Sequence, residues 1–552
     1  MLYKRLRMFG SCDYLRLWSD FFSFAQPMNQ LKIHLYNQLK HKPSLNQINQ
    51  IHAQIIVRSL GQTNNLIGAL IQSYNAHGKL KSATKVFNKY PSQHPTFLWN
   101  LIIQAYSKTS FTEQSLHLFK QMLLIAGLHS SPVPDDYTFT FIITACSRQR
   151  TLLDCGKNCH TMVIKLGFDK NVCVGNALVS LYVVFSKTVS ARKVFDEMPE
   201  RDIITWTSLI KGYAMGGKIA EAEQLFVKMP ERNEVSWAVM IAGYVGHKMY
   251  NDALRCFNDM LADDNMKPNE AVLVSVLSAC AHLGQINQGK WIHFYIDRTR
   301  FPKSSNISTA LIDMYAKCGK IEYAKQVFDR TEKRDLLTWT SMISGLSMHG
   351  LGKEALKMFT EMLADGIKPD NITLVGVLNA CSHSGQVKEG ISIFNNMEKL
   401  WRISPKLEHF GCLIDLLSRA GRLEDAFKAV KTMEMEPDDV IWRALLSACR
   451  THGNVGLAER IIEHVKKTGG GGRLLLSNLH ASFGQWDNVR RIRESNIQKE
   501  DDSTPGCSYI EINGVVHEFL AADKLHPQIM EITLKLNEVM KRISLDEDFD
   551  NM

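Results

Sequence analysis

Residues 336–370 read LLTWTSMISGLSMHGLGKEALKMFTEMLADGIKPD. Met342, Ile343 and Leu346 fall on one helical stripe, and Ala355, Leu356, Phe359, Met362 and Leu363 fall on a second. Gly350 and Gly352 break the pattern between the stripes, and Pro369 ends it. The segment therefore predicts a helix–turn–helix hairpin. A lone hairpin cannot bury both of its stripes, so similar hairpins must stack against it.

Such neighbours recur along the chain. Trp99, Trp206, Trp237, Trp339 and Trp442 each open a comparable segment. Three forms alternate. A short form covers 172–202, 203–233 and 305–335, ending KVFDEMPERD, QLFVKMPERN and QVFDRTEKRD; residues 64–95 are similar to it. A longer form covers 96–135, 234–269 and 336–370 and ends in PD or KPN, the first copy extended around Ile125–Val133. A third form carries Ala-Cys in its first helix, at 136–171, 270–304 and 371–406, and a divergent copy precedes residue 64. The fold class expected is all-α: a right-handed superhelical solenoid of tandem helix-turn-helix repeats.

Bulk properties narrow the function. The 552 residues carry a formal net charge of +9, which suits a polyanionic partner without demanding one. Only Asp13 and Asp20 are acidic before Glu113. Lys4, Arg5, Arg7 and Arg16 among Leu, Phe, Tyr and Trp give the N-terminus the character of an organelle transit peptide, mitochondrial in type, with the chloroplast as the alternative. No apolar run approaches the ~20 residues of a membrane span. Twelve cysteines placed by the repeat do not describe a secreted disulfide scaffold.

The order of the three forms, with their MPERD and IKPD endings, resembles the plant pentatricopeptide repeat proteins of the PLS class. Residues 405–438 (PKLEHFGCLIDLLSRAGRLEDAFKAVKTMEMEPD) resemble the last short repeat of that family. VIWRALLSACRTHGNVGLAE (440–459) and LLLSNLHASFGQWDNVRRIR (474–493) resemble its E extension, and PGCSYIEINGVVHEF with DKLHP (505–527) its E+ segment. The resemblance implies a transit peptide at 1–28, a repeat array at 29–438, an E extension of degenerate helical repeats at 439–504, an E+ segment at 505–527, and a C-terminal helix and tail at 528–552. Two departures stand out in the extension: a Gly469–Gly472 run that looks shortened, and an irregular IQKEDDSTPG.

Members of this family read single-stranded RNA one base per repeat, through the fifth and last residues of each repeat. Carried onto this chain, the pairs are Asn100 with Asp135, Asn176 with Asp202, Thr207 with Asn233, Thr309 with Asp335, and Thr340 with Asp370. All ten are compact hydrogen-bonding side chains. In the family, Asn with Asp resembles a uridine reader, Thr with Asn an adenosine reader and Thr with Asp a guanosine reader, giving U-x-U-A-x-x-G-G from 5′ to 3′. Phe97, Ile204, Val235 and Leu337 hold the second position, where apolar side chains sandwich bases. Asn306 departs there, and Gly68/Pro95 and Ala238/Asn269 depart at the reading positions. A competing explanation exists for the last residues: each stands just before a helix, where Asp and Asn are favoured as caps.

Catalysis and metals find little support. Cys155, Cys159 and His160 are close in sequence, but the repeat aligns Cys159 with Ile292, an apolar position, and His160 with His293 and His52. Cys146, Cys280 and Cys381 share one position, where Cys acts as a small buried hydrophobe. The longest family members end in a DYW domain resembling a cytidine deaminase, which needs His-x-Glu and Cys-x-x-Cys. Neither pattern occurs among the nineteen histidines and twelve cysteines of this chain. The expectation is a non-enzymatic factor with no cofactor and no metal. It binds organelle RNA and selects a C-to-U editing site for a DYW-type deaminase and editing cofactors recruited in trans through the E/E+ region, without engaging a membrane. The alternatives are a transcript stabilisation, splicing or translation factor, and a protein-scaffold solenoid.

Overall fold

The computed structural model describes residues 28–465 except 61–62, 90–94, 110, 129–131 and 264–265, and beyond them 480–481, 484, 486–494, 507–512, 515–520, 529–536 and 538. The transit peptide, the Gly469–Gly472 run, IQKEDDSTPG, DKLHP and the acidic tail lie outside the described residues. The chain forms two compact units, Met1–Gly243 and Tyr244–Met552.

The first unit is a stack of helical hairpins. Helices Met28–Lys40 and Leu45–Val57 lead into the pairs Asn64–Ala76/Leu80–Asn88, Thr96–Ser107/Thr112–Leu128, Asp136–Ser147/Leu153–Leu166, Val172–Val184/Thr188–Glu197 and Ile203–Met215/Ile219–Lys228. The second unit repeats the plan. After Tyr250–Leu261 come Glu270–Leu283/Ile286–Arg298, Ser305–Lys317/Ile321–Arg330, Leu336–Met348/Gly352–Ala364, Asn371–Ser384/Val387–Trp401, Leu407–Arg419/Leu423–Lys431 and Asp439–Thr451/Val455–Val465. Within each unit a first helix packs on the first helix of the next hairpin as well as on its own second helix. Each unit is thus an α-solenoid. The β structure among the described residues is one antiparallel hairpin, Cys507–Ile512 with Val515–Leu520, in which Cys507 faces Leu520 and Ile512 faces Val515.

The hairpin at 336–370 shows why the sequence folds this way. Met342, Ile343, Leu346, Ala355 and Met362 are fully buried, and Phe359 nearly so. Gly350 turns the chain at φ 69°, left-handed backbone that costs glycine nothing, and Leu351 then donates back to the Leu346 carbonyl at 3.0 Å.

The tryptophans mark the joints. Trp99, Trp206, Trp237 and Trp339 each meet a phenylalanine of the preceding second helix edge to face: Phe87, Phe195, Phe226 and Phe328, with centroids 4.7–4.9 Å apart. Such contacts add ~0.5–1.5 kcal/mol to the burial of the rings. The arginine of the MPERD-like ending completes three of these joints. Arg201, Arg232 and Arg334 lie over Phe195, Phe226 and Phe328 at 4.8, 4.9 and 4.4 Å. Each also donates through Nε and Nη2 to two carbonyls at the end of that helix. One guanidinium therefore caps a helix C-terminus and packs the joint.

The cysteine and histidine register follows the repeat. Cys146, Cys280 and Cys381 are all fully buried. His52, His160 and His293 hold Tyr74, Tyr182 and Tyr315 through Nδ1 at 3.0, 2.9 and 2.9 Å. Burial pushes all three imidazoles below their usual value.

Candidate nucleic-acid interface

Each candidate reading pair stands where two consecutive first helices begin side by side. The last residue of a repeat is the N-cap of the next helix, and the fifth residue sits one turn into its own helix. In the first unit, Asn100 Nδ2 donates to the two carboxylate oxygens of Asp135 at 2.8 and 3.1 Å. Asn176 does the same to Asp202, at 3.1 Å to each oxygen. Asn100 is itself buried, so its free edge is narrow.

A third residue, not apparent from the sequence pattern, completes four of the five clusters. It is the third residue of the following helix. Thr138 Oγ1 lies 2.6 Å from Asn100 Oδ1 and 2.8 Å from Asp135 Oδ1. Thr205 Oγ1 lies 2.6 Å from Asn176 Oδ1 and 2.8 Å from Asp202 Oδ1. Because the carboxylate can only accept, these contacts fix which way each amide faces: Nδ2 to Asp, Oδ1 to Thr. Burial disfavours charge on Asp202, but the amide and hydroxyl of Thr205 and the Asn176 amide outweigh it and hold this carboxyl below the usual range.

In the second unit the fifth residues are threonines and the bridge becomes hydroxyl to hydroxyl. Thr340 Oγ1 lies 2.7 Å from Thr373 Oγ1, which lies 2.8 Å from Asp370 Oδ1. Thr309 Oγ1 lies 3.2 Å from Thr338 Oγ1, which lies 2.8 Å from Asp335 Oδ1. Here too burial opposes charge on Asp335, and the Thr338 amide, the Ser305 hydroxyl and the Thr338 hydroxyl outweigh it, holding the carboxyl low. The Thr207–Asn233 pair differs. The Asn233 side chain accepts from the amides of Val235 and Ser236 at 3.1 and 3.0 Å, while Thr207 Oγ1 is buried without a partner.

Capping therefore does not exclude a second role for these aspartates. Asp135, Asp202, Asp335 and Asp370 each accept the amide of the third helical residue at 2.8–2.9 Å, and the same carboxylates organise the fifth-position side chain. The signal for the missing residue is Asp-x-x-Thr, present at 135–138, 202–205, 335–338 and 370–373. It reads as an ordinary helix start until the tertiary partner is seen.

The second-position residues are apolar side chains left in the open. Phe97 is 41% exposed, Ile204 61%, Val235 53% and Leu337 51%. Tyr137 and Ile372 hold the same place, also exposed, and went unnoticed in the sequence. Phe97, Tyr137, Asn100 and Asp135 line a single cleft of about 420 Å³, so two aromatic side chains and one hydrogen-bonding pair face a common space.

The departing positions have local causes. A side chain at Gly68 would come within 3.0 Å of the Phe97 ring, so the fifth position there is given over to seating Phe97. Pro95 starts the Thr96–Ser107 helix with no side-chain cap. Ala238 is buried, and Asn269 caps the next helix at Val272. Asn306 is tied to Glu270 at 2.8 Å. In two Ala-Cys repeats the last residue bonds an acid at the first position instead of a side chain at the fifth. Asn171 Nδ2 donates to Asp136 at 2.8 Å, and Ser304 Oγ to Glu270 at 2.7 Å.

Comparison with known proteins agrees with this periodicity. The PPR repeat model matches 97–124, 176–203, 204–234, 235–264, 307–336, 372–401 and 408–436, and a second PPR repeat family model matches 334–383. The E+ motif model matches 516–543. Pentatricopeptide repeat-containing protein At2g20540 of Arabidopsis thaliana is 43% identical over 90% of this chain and 92% of its own length. The ELI1 pentatricopeptide repeat-containing protein of the same plant, described as chloroplastic, is 41% identical over 91% of this chain and 78% of its own. The crystal structure of the maize pentatricopeptide repeat protein PPR10 matches at a TM-score of 0.53 and 16% identity, over 81% of this chain and 71% of that one. With hairpins, reading-position register and a relative matched nearly end to end, the chain belongs to the pentatricopeptide repeat family.

Proposed function

We propose that this protein binds single-stranded RNA in a plant organelle and reads it base by base at the helix starts. The observation that carries the reading is the repeated cluster of fifth residue, last residue and exposed apolar second residue. Asn100/Asp135 and Asn176/Asp202 read uridine, Thr207/Asn233 adenosine, and Thr309/Asp335 and Thr340/Asp370 guanosine, in the order U-x-U-A-x-x-G-G. Phe97, Ile204, Val235 and Leu337 flank the bases, joined by Tyr137 and Ile372. The repeats at 136–171 and 270–304, whose last residues are drawn to Asp136 and Glu270, act as spacers.

The E and E+ segments then present the bound transcript to a deaminase supplied in trans, so that one cytidine downstream is edited. Support comes from the E+ motif match. Residues 1–28 direct import. Their composition favours the mitochondrion, and a chloroplastic relative keeps the plastid in view.

A gel-shift assay tests the binding claim, using an oligonucleotide carrying U-x-U-A-x-x-G-G and a scrambled control. Tighter binding of the first is expected, and equal affinity overturns base reading. Sequencing organelle RNA from a plant lacking the protein tests the editing claim. Loss of one C-to-U change supports it; an intact editing profile with a missing transcript overturns it.

A further inference from the structure

Most repeats place a large side chain at the fourth residue. Trp99, Trp206, Trp237 and Trp339 hold that place in four hairpins, whereas 172–202 has Gly175 and 305–335 has Ser308. These two hairpins align residue for residue. Each follows an Ala-Cys repeat, and the His160–Tyr182 and His293–Tyr315 bonds fall at the same register. They close the gap differently. In 172–202 the Met198 side chain lies over Gly175, so near that a Cβ there would stand 2.5 Å from Met198 Cε, and Met198 is 4% exposed. Thr331 takes the place of Met198 in 305–335. Its side chain stops at the γ position, and its hydroxyl turns back to the Val327 carbonyl at 2.8 Å.

The shorter side chain leaves a cavity of about 420 Å³. Small-molecule sites span roughly 300–1,000 Å³ and combine an apolar wall with a few polar groups. Ile307, Leu311 and Val327 form the apolar wall here. Ser308 also lines the cavity; it is 5% exposed, and its hydroxyl bonds none of the described residues. A buried hydroxyl without a partner is costly, and a ligand atom beside it would remove that cost. The rim has changed sign as well. Arg330 and Lys333 stand where 172–202 has Glu197 and Glu200. Lys303 on the same rim is held by Asp297 at 2.7 Å, so Arg330 and Lys333 are set against one acid of the rim, Glu332.

We propose that this cavity binds a small organic anion with a short, unbranched apolar body. The body lies along Ile307, Leu311 and Val327, and the acidic group is taken up by the Ser308 hydroxyl with Arg330 and Lys333. The shape of the body follows from Met198, the chain's own filling of the matching space. The site does not depend on the RNA reading and lies outside the E and E+ segments.

The probe is hexanoate, titrated into the full chain by saturation-transfer NMR, with hexylamine as the same body carrying the opposite charge. Hexanoate should bind with a Kd on the order of 1 mM, the strength open to a ligand of its size, and hexylamine at least about tenfold more weakly. Thr331→Met installs the plug of 172–202 and should abolish hexanoate binding. Arg330→Glu with Lys333→Glu installs its rim and should weaken hexanoate at least about fivefold; both residues are exposed, so this variant keeps the test decisive should Thr331→Met misfold by circular dichroism. Undiminished binding to a folded Thr331→Met protein, or to the double variant, overturns the cavity as the site. Equal binding of hexylamine overturns the anion class, and no saturable binding of hexanoate overturns the proposal outright.

Discussion

Two junctions in the second unit share a backbone and differ in chemistry. At 370/371, Asp370 caps the next helix, Thr373 bridges it to Thr340, and Ile372 is exposed. At 438/439, Asp438 caps the next helix in the same way, at 2.9 Å to the Ile441 amide, and Val440 is again exposed at 70%. Trp442 is buried as Trp339 is. But Gly411 stands at the fifth position and buried Ile441 at the third of the next helix. The joint survives and the hydrogen-bonding pair does not. Stacking and the proposed reading are thus separable: one needs the buried tryptophan and the cap, the other would need two hydroxyl or amide side chains placed around it.

The largest effect should come from the part that both junctions share. Trp339→Ala removes a 1% exposed ring packed on Phe328 and should cost ~3–5 kcal/mol in denaturant unfolding, whereas Thr340→Ala should change stability by ~1 kcal/mol or less. Comparable losses in the two variants would tie reading and stacking together after all.

Next in size is Thr340→Asn, which gives the 336–370 cluster the Asn–Thr–Asp composition of the 96–135 cluster. Preference at its base should move from purine to pyrimidine by about tenfold in a competition assay. Retention of the purine preference would place the register elsewhere.

A smaller gain is expected from building the missing pair. A Cβ at Gly411 meets nothing within 4 Å, so Gly411→Thr is sterically open, and Ile441→Thr supplies the bridge to Asp438. The double variant should acquire a several-fold preference for guanine two positions beyond the Thr340 base, at some cost in packing around Ile441. Absence of any new preference would mean that this junction no longer faces RNA.

The smallest effect is electrostatic. The Asp335 carboxyl is held below its usual value when folded, so its contribution to stability is present above about pH 3.9 and is lost as pH falls from there through the folded value. Asp335→Asn keeps a cap and should flatten the acid limb of the stability curve slightly. A limb of unchanged slope would show that this carboxylate is not selectively stabilised.

The hairpins were legible because stripe spacing and the Gly breaks are local properties of the chain. So were the positions of the aspartates and their capping role. The residues that complete the clusters were not. Thr138 meets Asn100, and Thr205 meets Asn176, across 38 and 29 residues. Nothing in Asp-x-x-Thr distinguishes a threonine that serves only its own helix from one that also reaches a neighbour. The Ala-Cys repeats hid the opposite case. Thr140 and Asn171 occupy the fifth and last places of 136–171, yet Thr140 Oγ1 bonds back to the Asp136 carbonyl at 2.8 Å and Asn171 bonds the Asp136 side chain. The acid at the first helical position draws Asn171 away, through a contact visible only in three dimensions.

The double duty of the cap carboxylates also constrains how such an array can change its target. A substitution at the last residue must also start a helix, which favours Asp, Asn, Ser and Thr there, although Pro95 and Lys406 fill the place at two other junctions. The fifth residue lies on a formed helix and answers to no such filter. On the proposed reading, new target sequences are reached most readily by varying the fifth residue, with the last residue toggling among side chains that also begin the next turn.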